Sequence, residues 1–386
     1  MAIDDPKSTI LWGRPELTGA SFDFKSDVIT TPSLGMLNAI SRATLNDDVY
    51  GEDQTTSTFE KEMASICGKE AAAFVITGTM ANQLALRTLL NEAPPYAILT
   101  DAQSHIVHWE VGGAAFINGA MVQAIRPLNG RYLTVKDVEK HAVLDYDVHK
   151  TPTRVVSIEN TNLGTVVPLR ELQHLHAWAK INRVAIHIDG ARLFEAVVAC
   201  GASLRDFAQC ADLVTLDFSK NLGAPLGAMV LGEVDAIRRL KRTRKGMGGG
   251  MRQAGVLVAA ARQAVVEKFG LGEFDTVGTL VRSHKMARLI SHFWTERGGR
   301  LLREVETNMV WVDLKALGVK EADWNAAGKR HGIRLDGRRI MFHHQICDEA
   351  IIQLQSVIEE VLPSEVKSIP VRSRSAWNDS VTRARL

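Results

Sequence analysis

The chain has 386 residues, of which 46% are hydrophobic and 23% are charged, and its formal net charge is +2 at pH 7. A chain of this length can bury a sizeable core, and we expect it to form two domains. The near-neutral charge argues against a protein dedicated to nucleic acid, and no apolar run reaches the ~18 residues that a membrane span needs. We therefore expect neither a nucleic acid nor a membrane as a partner.

The chain up to residue 275 is predicted to form an arm followed by an α/β domain. Residues 1–25 show no clear periodicity and are assigned to an N-terminal arm. Over residues 26–275, short apolar runs alternate with helical periodicity, which predicts a large domain with a mostly parallel central sheet. The predicted strands are 72–76, 97–100, 154–158, 184–188, 213–216 and 228–231, and the predicted helices include 80–90 and 169–180.

The pattern changes near residue 275. Strand-like residues 309–312 and 339–342 precede an amphipathic helix over 348–362, which predicts a smaller α+β C-terminal domain over residues 276–362. Residues 363–386 are polar and basic and are predicted to form an exposed tail.

Two features bear on the compartment. The N-terminus lacks the charged start and apolar core of a signal peptide, and the four cysteines are widely spaced, without a metal or redox pattern. The last residues, Ala384-Arg385-Leu386, resemble the Ser-Lys-Leu peroxisomal address, with a chance ending as the alternative. We therefore expect a cytoplasmic or peroxisomal protein with buried thiols and no metal site.

The first of three motifs, Thr77-Gly78-Thr79, lies between a predicted strand and the helix that follows it. Gly78 lets the backbone approach a ligand closely, Thr79 brings a hydroxyl and an N–H, and a helix N-terminus favours an anion. The motif predicts a phosphate site, with an ordinary turn and helix cap as the alternative.

The second motif, Asp189-Gly190-Ala191-Arg192, follows the predicted strand 184–188. A carboxylate at a strand end can keep the pyridine nitrogen of pyridoxal phosphate (PLP) protonated, which makes the ring an electron sink. Arg192 offers a planar pair of donors for a substrate carboxylate. The alternative is a surface ion pair between Asp189 and Arg192.

The third motif places Lys220 between the predicted strand 213–216 and a turn rich in glycine and proline. A lysine there is held on a rigid support and partly desolvated. Desolvation makes an amine a usable nucleophile and base, as a lysine that binds PLP must be. A solvated charge at a strand end is the alternative.

In this order, the three motifs resemble a PLP-dependent enzyme of the aspartate-aminotransferase fold, and the chain resembles the threonine aldolase family along nearly its whole length. The resemblance implies PLP fold type I and PLP as the cofactor, and residues 339–345 are similar to the fungal branch. The segments that carry it are 26–30, 47–53, 68–71, 77–82, 159–161, 189–192, 219–220 and 248–255, together with His105, Glu110 and Gly112-Gly113.

The resemblance also implies how the cofactor is held. Lys220 would bind PLP covalently and move protons at Cα, and Asp189 would pair with the pyridinium. Gly78 and Thr79 would hold the phosphate. His105 would stack on the ring, with a capped or core histidine as the alternative.

By the same resemblance, Arg192 and Arg339 would bind the carboxylate of a small amino acid, with Ser26 and Asp27 nearby. Arg252 would help to bind the cofactor phosphate of the neighbouring subunit, with a flexible glycine loop as the alternative for the stretch before it. A homodimer or homotetramer with shared active sites is therefore expected.

The chain departs from the family near the substrate side chain. A histidine usually follows Glu-Asn-Thr at the first or second position, where this chain has Asn162 and Leu163, and a common tyrosine two residues after His105 is Val107 here. The groups that acidify Cα–H are kept, whereas groups that would handle a hydroxyl are missing. The sequence therefore favours an alanine racemase that converts L-alanine to D-alanine for secondary metabolism, as in the similar fungal racemases.

Two other functions stay open. His105, His108 or an ordered water could handle the hydroxyl proton, which would give a low-specificity L-threonine or L-allo-threonine aldolase that forms glycine and acetaldehyde. A non-catalytic PLP-fold binding protein is a remote alternative, because such proteins commonly lose the lysine or the aspartate and this chain has both. In a racemase, the proton opposite Lys220 would come from His105, His108 or a held water.

Overall fold

The computed structural model describes residues 18–145, 147–270 and 278–362. Its centre is a seven-stranded sheet. In chain order the strands are β1 (Ala71–Val75), β2 (Ala97–Asp101), β3 (Met121–Ile125), β4 (Thr153–Glu159), β5 (Ala185–Gly190), β6 (Leu213–Asp217) and β7 (Ala228–Gly232). They lie in the order β1-β7-β6-β5-β4-β2-β3, with β7 antiparallel to both neighbours and all other pairs parallel. The mostly parallel sheet predicted from the sequence is confirmed.

The six predicted strands of this sheet match the observed ones, whereas β3 was not predicted. Strands such as β2, β6 and β7 are buried along their whole length and consist mostly of apolar residues. β3 lies at the sheet edge, contains Gln123 and is partly exposed along most of its length. An edge strand of this kind lacks the apolar run by which its neighbours were recognised.

Helices connect and cover the strands. The helix α3 begins shortly after β1 and agrees within two residues with the predicted helix 80–90. The helix α7 lies between β4 and β5 and agrees within two residues with the predicted helix 169–180. None of the helices in the described ranges combines the length and the apolarity needed to cross a membrane. The helices are α1 (Leu34–Ile40), α2 (Gln54–Cys67), α3 (Gly78–Leu89), α4 (His105–His108), α5 (Gly113–Phe116), α6 (Val135–His141), α7 (Leu169–Asn182), α8 (Leu193–Cys200), α9 (Leu204–Ala208), α10 (Val234–Gly246), α11 (Gly255–Lys268), α12 (Gly278–Glu296), α13 (Glu321–Arg330) and α14 (Asp348–Val361).

A second apolar cluster is built mainly from the C-terminal part of the chain. It lies around α12, α13, α14 and a two-stranded antiparallel sheet of β8 (Met309–Trp311) and β9 (Arg339–Met341). Phe24 is fully buried in this cluster, its N–H donates to Arg334 at 2.8 Å and its carbonyl accepts from Met341 at 2.9 Å. The described end of the predicted arm therefore packs against the C-terminal part.

Some predictions fall outside the described residues. These are residues 1–17 of the arm and the polar tail 363–386, including Ala384-Arg385-Leu386. The domain limits at 25, 275 and 362 and the peroxisomal address stay predictions.

Candidate active site

Two of the predicted site residues, Asp189 and Lys220, lie at the carboxyl ends of the parallel strands, where ligands bind in sheets of this kind. Glu159 ends β4, Asp189 is the last residue but one of β5, and Asp217 ends β6. Glu159 and Asp189 are partners in the register of β4 and β5. Lys220 follows Asp217 by three residues, so the sheet brings Asp189 and Lys220 to the same edge.

Lys220 is held at its amine and at its backbone. Its Nζ donates to Asp217 Oδ2 at 2.8 Å, and only 17% of the side chain is exposed. Its carbonyl accepts from the Thr30 hydroxyl at 2.6 Å and from the Gly223 N–H at 3.0 Å. Burial opposes ionisation of Asp217, but the Lys220 ammonium and hydrogen bonds from Ser219 outweigh burial and lower the pKa of Asp217. The solvated-lysine alternative does not fit this paired, part-buried amine.

The first turn of α3 lies against the same carboxylate. A Cβ on Gly78 would fall 2.8 Å from Asp217 Oδ2, so a larger residue there would displace that carboxylate. The helix is capped by Thr77, whose hydroxyl accepts from the Met80 N–H at 3.0 Å. The N–H groups of Gly78 and Thr79 therefore stand in the first turn, where a helix favours an anion.

Asp189 is a buried carboxylate whose hydrogen bonds come from neutral amides. Its Oδ2 accepts from Asn82 Nδ2 at 2.7 Å, and its Oδ1 accepts from the Ala191 N–H at 3.0 Å. Neither donor neutralises the charge, so a cationic ring nitrogen fits beside it. A surface ion pair between Asp189 and Arg192 is ruled out, because Asp189 is buried and Arg192 binds Asp27 instead.

These residues fit PLP. Asp189 would hold the protonated ring nitrogen, the first turn of α3 at Gly78 and Thr79 would hold the phosphate, and Lys220 would bind the aldehyde carbon.

His105 begins α4 and is tied to a buried carboxylate. Its Nδ1 lies 2.8 Å from Glu110 Oε1, and its backbone N–H donates to Glu159 Oε2 at 2.8 Å. The bond to Glu110 raises the pKa of His105, burial opposes this rise and the charge of Asp189 adds to it. Asn82 Nδ2 also donates to Glu110 Oε1 at 2.8 Å, so one amide joins the His105 pair to Asp189.

Glu159 is a site residue to which sequence reasoning gave no role. Burial, reinforced by the charge of Asp189, raises its pKa to about 7, which lets it hold a proton near neutrality. Asn82 and Asp217 were missed as well. Glu159 and Asp217 could have been found from the sequence, because each is a carboxylate at the end of a buried strand, like Asp189. Nothing in the sequence around Asn82 indicates its role.

Arg192 binds a carboxylate of its own chain. Its Nε and Nη2 donate to the two oxygens of Asp27 at 2.8 and 2.7 Å, and both side chains are largely buried. Burial alone would raise the pKa of Asp27, but Arg192 outweighs it and holds that pKa at about 2. Burial likewise opposes the charge on Arg192, and Asp27 raises the pKa of Arg192 despite it. A substrate carboxylate would therefore meet the Nη1 edge of a guanidinium that is already paired.

Arg339 and Ser26 flank this pair. Arg339 Nη2 donates to the carbonyl of Lys25 at 3.0 Å, and burial together with the charge of Arg192 lowers the pKa of Arg339. Ser26 is buried and caps the short 3₁₀ helix Asp27–Ile29. Of these two guanidinium groups, Arg192 is hydrogen-bonded to a carboxylate and Arg339 to a backbone carbonyl. The carboxylate of an amino acid would give Arg339 an anionic partner.

Arg252 stands apart from this cluster. Its side chain is 76% exposed, with Nε 3.4 Å from Asp47 Oδ2, and its carbonyl accepts from the Asp48 N–H at 2.8 Å. The guanidinium is therefore accessible from outside the chain, and its contact with a neighbouring subunit stays a prediction.

Two positions at which the sequence departs from the family pattern, Val107 and Asn162, carry side chains without a basic group. Val107 packs against the apolar cluster formed by the end of α3 and by β2. Asn162 is buried and exchanges backbone hydrogen bonds with Thr165 at 3.1 and 2.9 Å. His108 Nε2 lies 2.7 Å from the carbonyl of Ala102, which uses one of its two ring nitrogens.

The chain is similar to known proteins along most of its length. Residues 23–317 match the family model described as Beta-eliminating lyase. A protein named Alanine racemase TOXG from Cochliobolus carbonum is 49% identical over 367 residues, which cover 95% of this chain and 92% of that protein. A protein named Aldolase vrtJ from Penicillium aethiopicum is 45% identical over 366 residues, again with 95% and 92% coverage.

A solved structure of threonine aldolase from Leishmania major superposes with a TM-score of 0.75, covering 88% of this chain and 99% of that one. Its sequence identity is 20%, so this likeness concerns the fold. The predicted PLP fold type I architecture is confirmed.

Proposed function

The chain belongs to the beta-eliminating lyase family, as its resemblance to threonine aldolases predicted, and we propose that it is a PLP-dependent alanine racemase acting on L-alanine. One observation carries the proposal: the groups that would act at Cα lie together, while the positions that would handle a hydroxyl hold Val107, packed against an apolar cluster, and Asn162, whose backbone is bonded to Thr165. The 49% identity to a protein named alanine racemase supports the same reaction.

When bound, PLP would supply an electron sink for the pair left on Cα after proton removal. Arg339 and the Nη1 edge of Arg192 would hold the substrate carboxylate. Lys220 Nζ would take the Cα proton on one face, and the His105 imidazolium, held by Glu110, would return a proton on the other face. One Cα–H bond breaks and one forms, so the reaction needs neither an oxidant nor a reductant.

An aldolase is the second candidate. The 45% identity to a protein named aldolase favours it, and the His105 imidazole beside Glu110 is a group that could take a hydroxyl proton. Such an enzyme would release glycine and acetaldehyde from L-threonine or L-allo-threonine.

Chiral amino-acid analysis separates the two reactions. The PLP-loaded protein is incubated separately with L-alanine, L-threonine and L-allo-threonine, with Lys220→Ala as the inactive control. We expect D-alanine to form from L-alanine, little glycine to form from either threonine isomer, and Lys220→Ala to exchange no Cα–H for solvent deuterium. Glycine with acetaldehyde, and L-alanine left unchanged, would replace the racemase proposal by the aldolase.

We also propose that the protein is a homo-oligomer with shared active sites. In the stretch after His105, the residues Trp109, Val111 and Phe116 are 72%, 99% and 90% exposed. Large apolar residues exposed together are typical of a surface that a partner covers, and Arg252 is exposed as well. Light scattering should give at least twice the mass of one chain, and a monomer at micromolar concentration would contradict the proposal.

A further inference from the structure

Asn221, the residue directly after Lys220, is buried and bonded through both polar atoms of its side chain. Its Nδ2 donates to Glu195 Oε1 at 2.7 Å and to Ser283 Oγ at 3.3 Å. Its Oδ1 accepts from the His344 N–H at 2.8 Å, and its carbonyl lies 2.8 Å from His344 Nδ1. One residue next to the lysine therefore contacts α8, α12 and the segment that follows β9.

The carboxylate that Asn221 meets is held by a second buried group. Glu195 Oε2 lies 2.6 Å from His284 Nε2, and both side chains are almost fully buried. The other ring nitrogen of His284, Nδ1, has no hydrogen-bond partner within the described ranges. A buried ionisable pair of this kind is a weak source of stability, because desolvation offsets its attraction. Its specific effect is to fix the Glu195 carboxylate against Asn221.

The elements that meet at Asn221 come from both parts of the molecule. Glu195 belongs to α8, which starts after Arg192 in the large domain. The helix α12 carries Leu280 in the apolar cluster that packs against the seven-stranded sheet and Met286 in the C-terminal cluster. Ser283 and His284 lie between these two residues. The lysine segment is thereby tied to the part of the chain that carries Arg339.

We propose that Glu195 and His284 are positioning residues for Lys220. They act through Asn221 and hold the lysine at a fixed position relative to Arg192 and Arg339, which would bind the substrate carboxylate. The proposal rests on one part of the proposed function, namely that Lys220 is the amine that binds PLP and moves the Cα proton. It holds for a racemase and for an aldolase alike. A misplacement of about 1 Å at the reacting amine costs roughly 100-fold in rate, so such a device would affect kcat more than binding.

The test compares the holoenzyme with Asn221→Ala, Glu195→Gln and their double variant. Asn308→Ala is the matched control, since Asn308 is a buried asparagine that donates to the Phe342 carbonyl at 2.8 Å and, within the described residues, makes no hydrogen bond with Lys220, Asn221 or Glu195. The readouts are a spectrophotometric pH titration of the lysine-bound cofactor, kcat and KM for the accepted substrate, and thermal unfolding. Glu195→Gln is nearly isosteric, so it tests the proposal even if Asn221→Ala does not fold.

We expect Asn221→Ala to lower kcat roughly 10- to 100-fold with little change in KM and to shift the midpoint of the cofactor titration. Glu195→Gln should give a smaller shift in the same direction, and in the Asn221→Ala background it should add nothing. Asn308→Ala should lose stability but keep the wild-type midpoint. An unchanged midpoint and kcat in Asn221→Ala or Glu195→Gln, or additive effects in the double variant, would overturn the proposal. A wild-type protein without a lysine-bound cofactor would instead refute the proposed function.

Discussion

The buried ion pair of Asp27 and Arg192 allows a quantitative prediction. The pKa of Asp27 is lowered from 3.8 to about 2, a shift of roughly 2 units, because the favourable effect of Arg192 exceeds the cost of burial. Each pKa unit corresponds to about 1.4 kcal/mol, so the ionised carboxylate contributes roughly 2 to 3 kcal/mol to the free energy of unfolding at neutral pH. We expect Asp27→Asn, which keeps the shape and removes the charge, to lose about that amount.

The pH dependence has a definite sign. Because the folded-state pKa of Asp27 is depressed, its contribution is present above the unfolded-state pKa of 3.8 and is lost as the pH falls towards about 2. The difference in unfolding free energy between wild type and Asp27→Asn should therefore stay constant from neutral pH down to roughly pH 5 and shrink below roughly pH 4.

Urea unfolding of the PLP-free protein at several pH values measures this difference. Arg192→Met is the informative companion, because it leaves the Asp27 carboxylate buried and unpaired and should cost more, about 3–5 kcal/mol. The double variant should lose less than the sum of the two single changes. An Asp27→Asn protein within about 0.5 kcal/mol of wild type at neutral pH would refute the reasoning.

Two further predictions concern the other carboxylates of the site. In Glu110→Gln, a neutral amide replaces the carboxylate whose hydrogen bond raises the pKa of His105, so the NMR titration midpoint of His105 should move down, and an unchanged midpoint would contradict the assigned pairing. Burial and Asp189 raise the pKa of Glu159 to about 7, so its stabilising contribution is present below the unfolded-state pKa of 4.5 and is lost as the pH rises through about 7. The melting temperature of PLP-free Glu159→Gln minus that of wild type should therefore increase as the pH rises from about 5 to about 8. A difference in melting temperature that stays constant over that range would exclude a raised pKa.

The fold could be predicted where local sequence reports burial directly. Central strands such as β6 and β7 are covered on both faces, so they appear as short apolar runs between helical stretches. The edge strand β3 is partly exposed and mixed in composition, and it was missed. The association of Phe24 with the C-terminal cluster was also out of reach, because nothing near Phe24 indicates contact with residues 334 and 341.

The sequence by itself determined the α/β architecture, the family and the meeting of Gly78, Asp189 and Lys220. Parallel strands bring their carboxyl ends to one edge, so a strand pattern is enough to place the residues that follow them. The tertiary structure alone decided which side chains pair. Arg192 binds Asp27 across 165 positions, Asn82 reaches Asp189 across 107 and His344 reaches Asn221 across 123. Periodicity records which face of an element is buried, whereas these contacts depend on how distant elements are packed against each other.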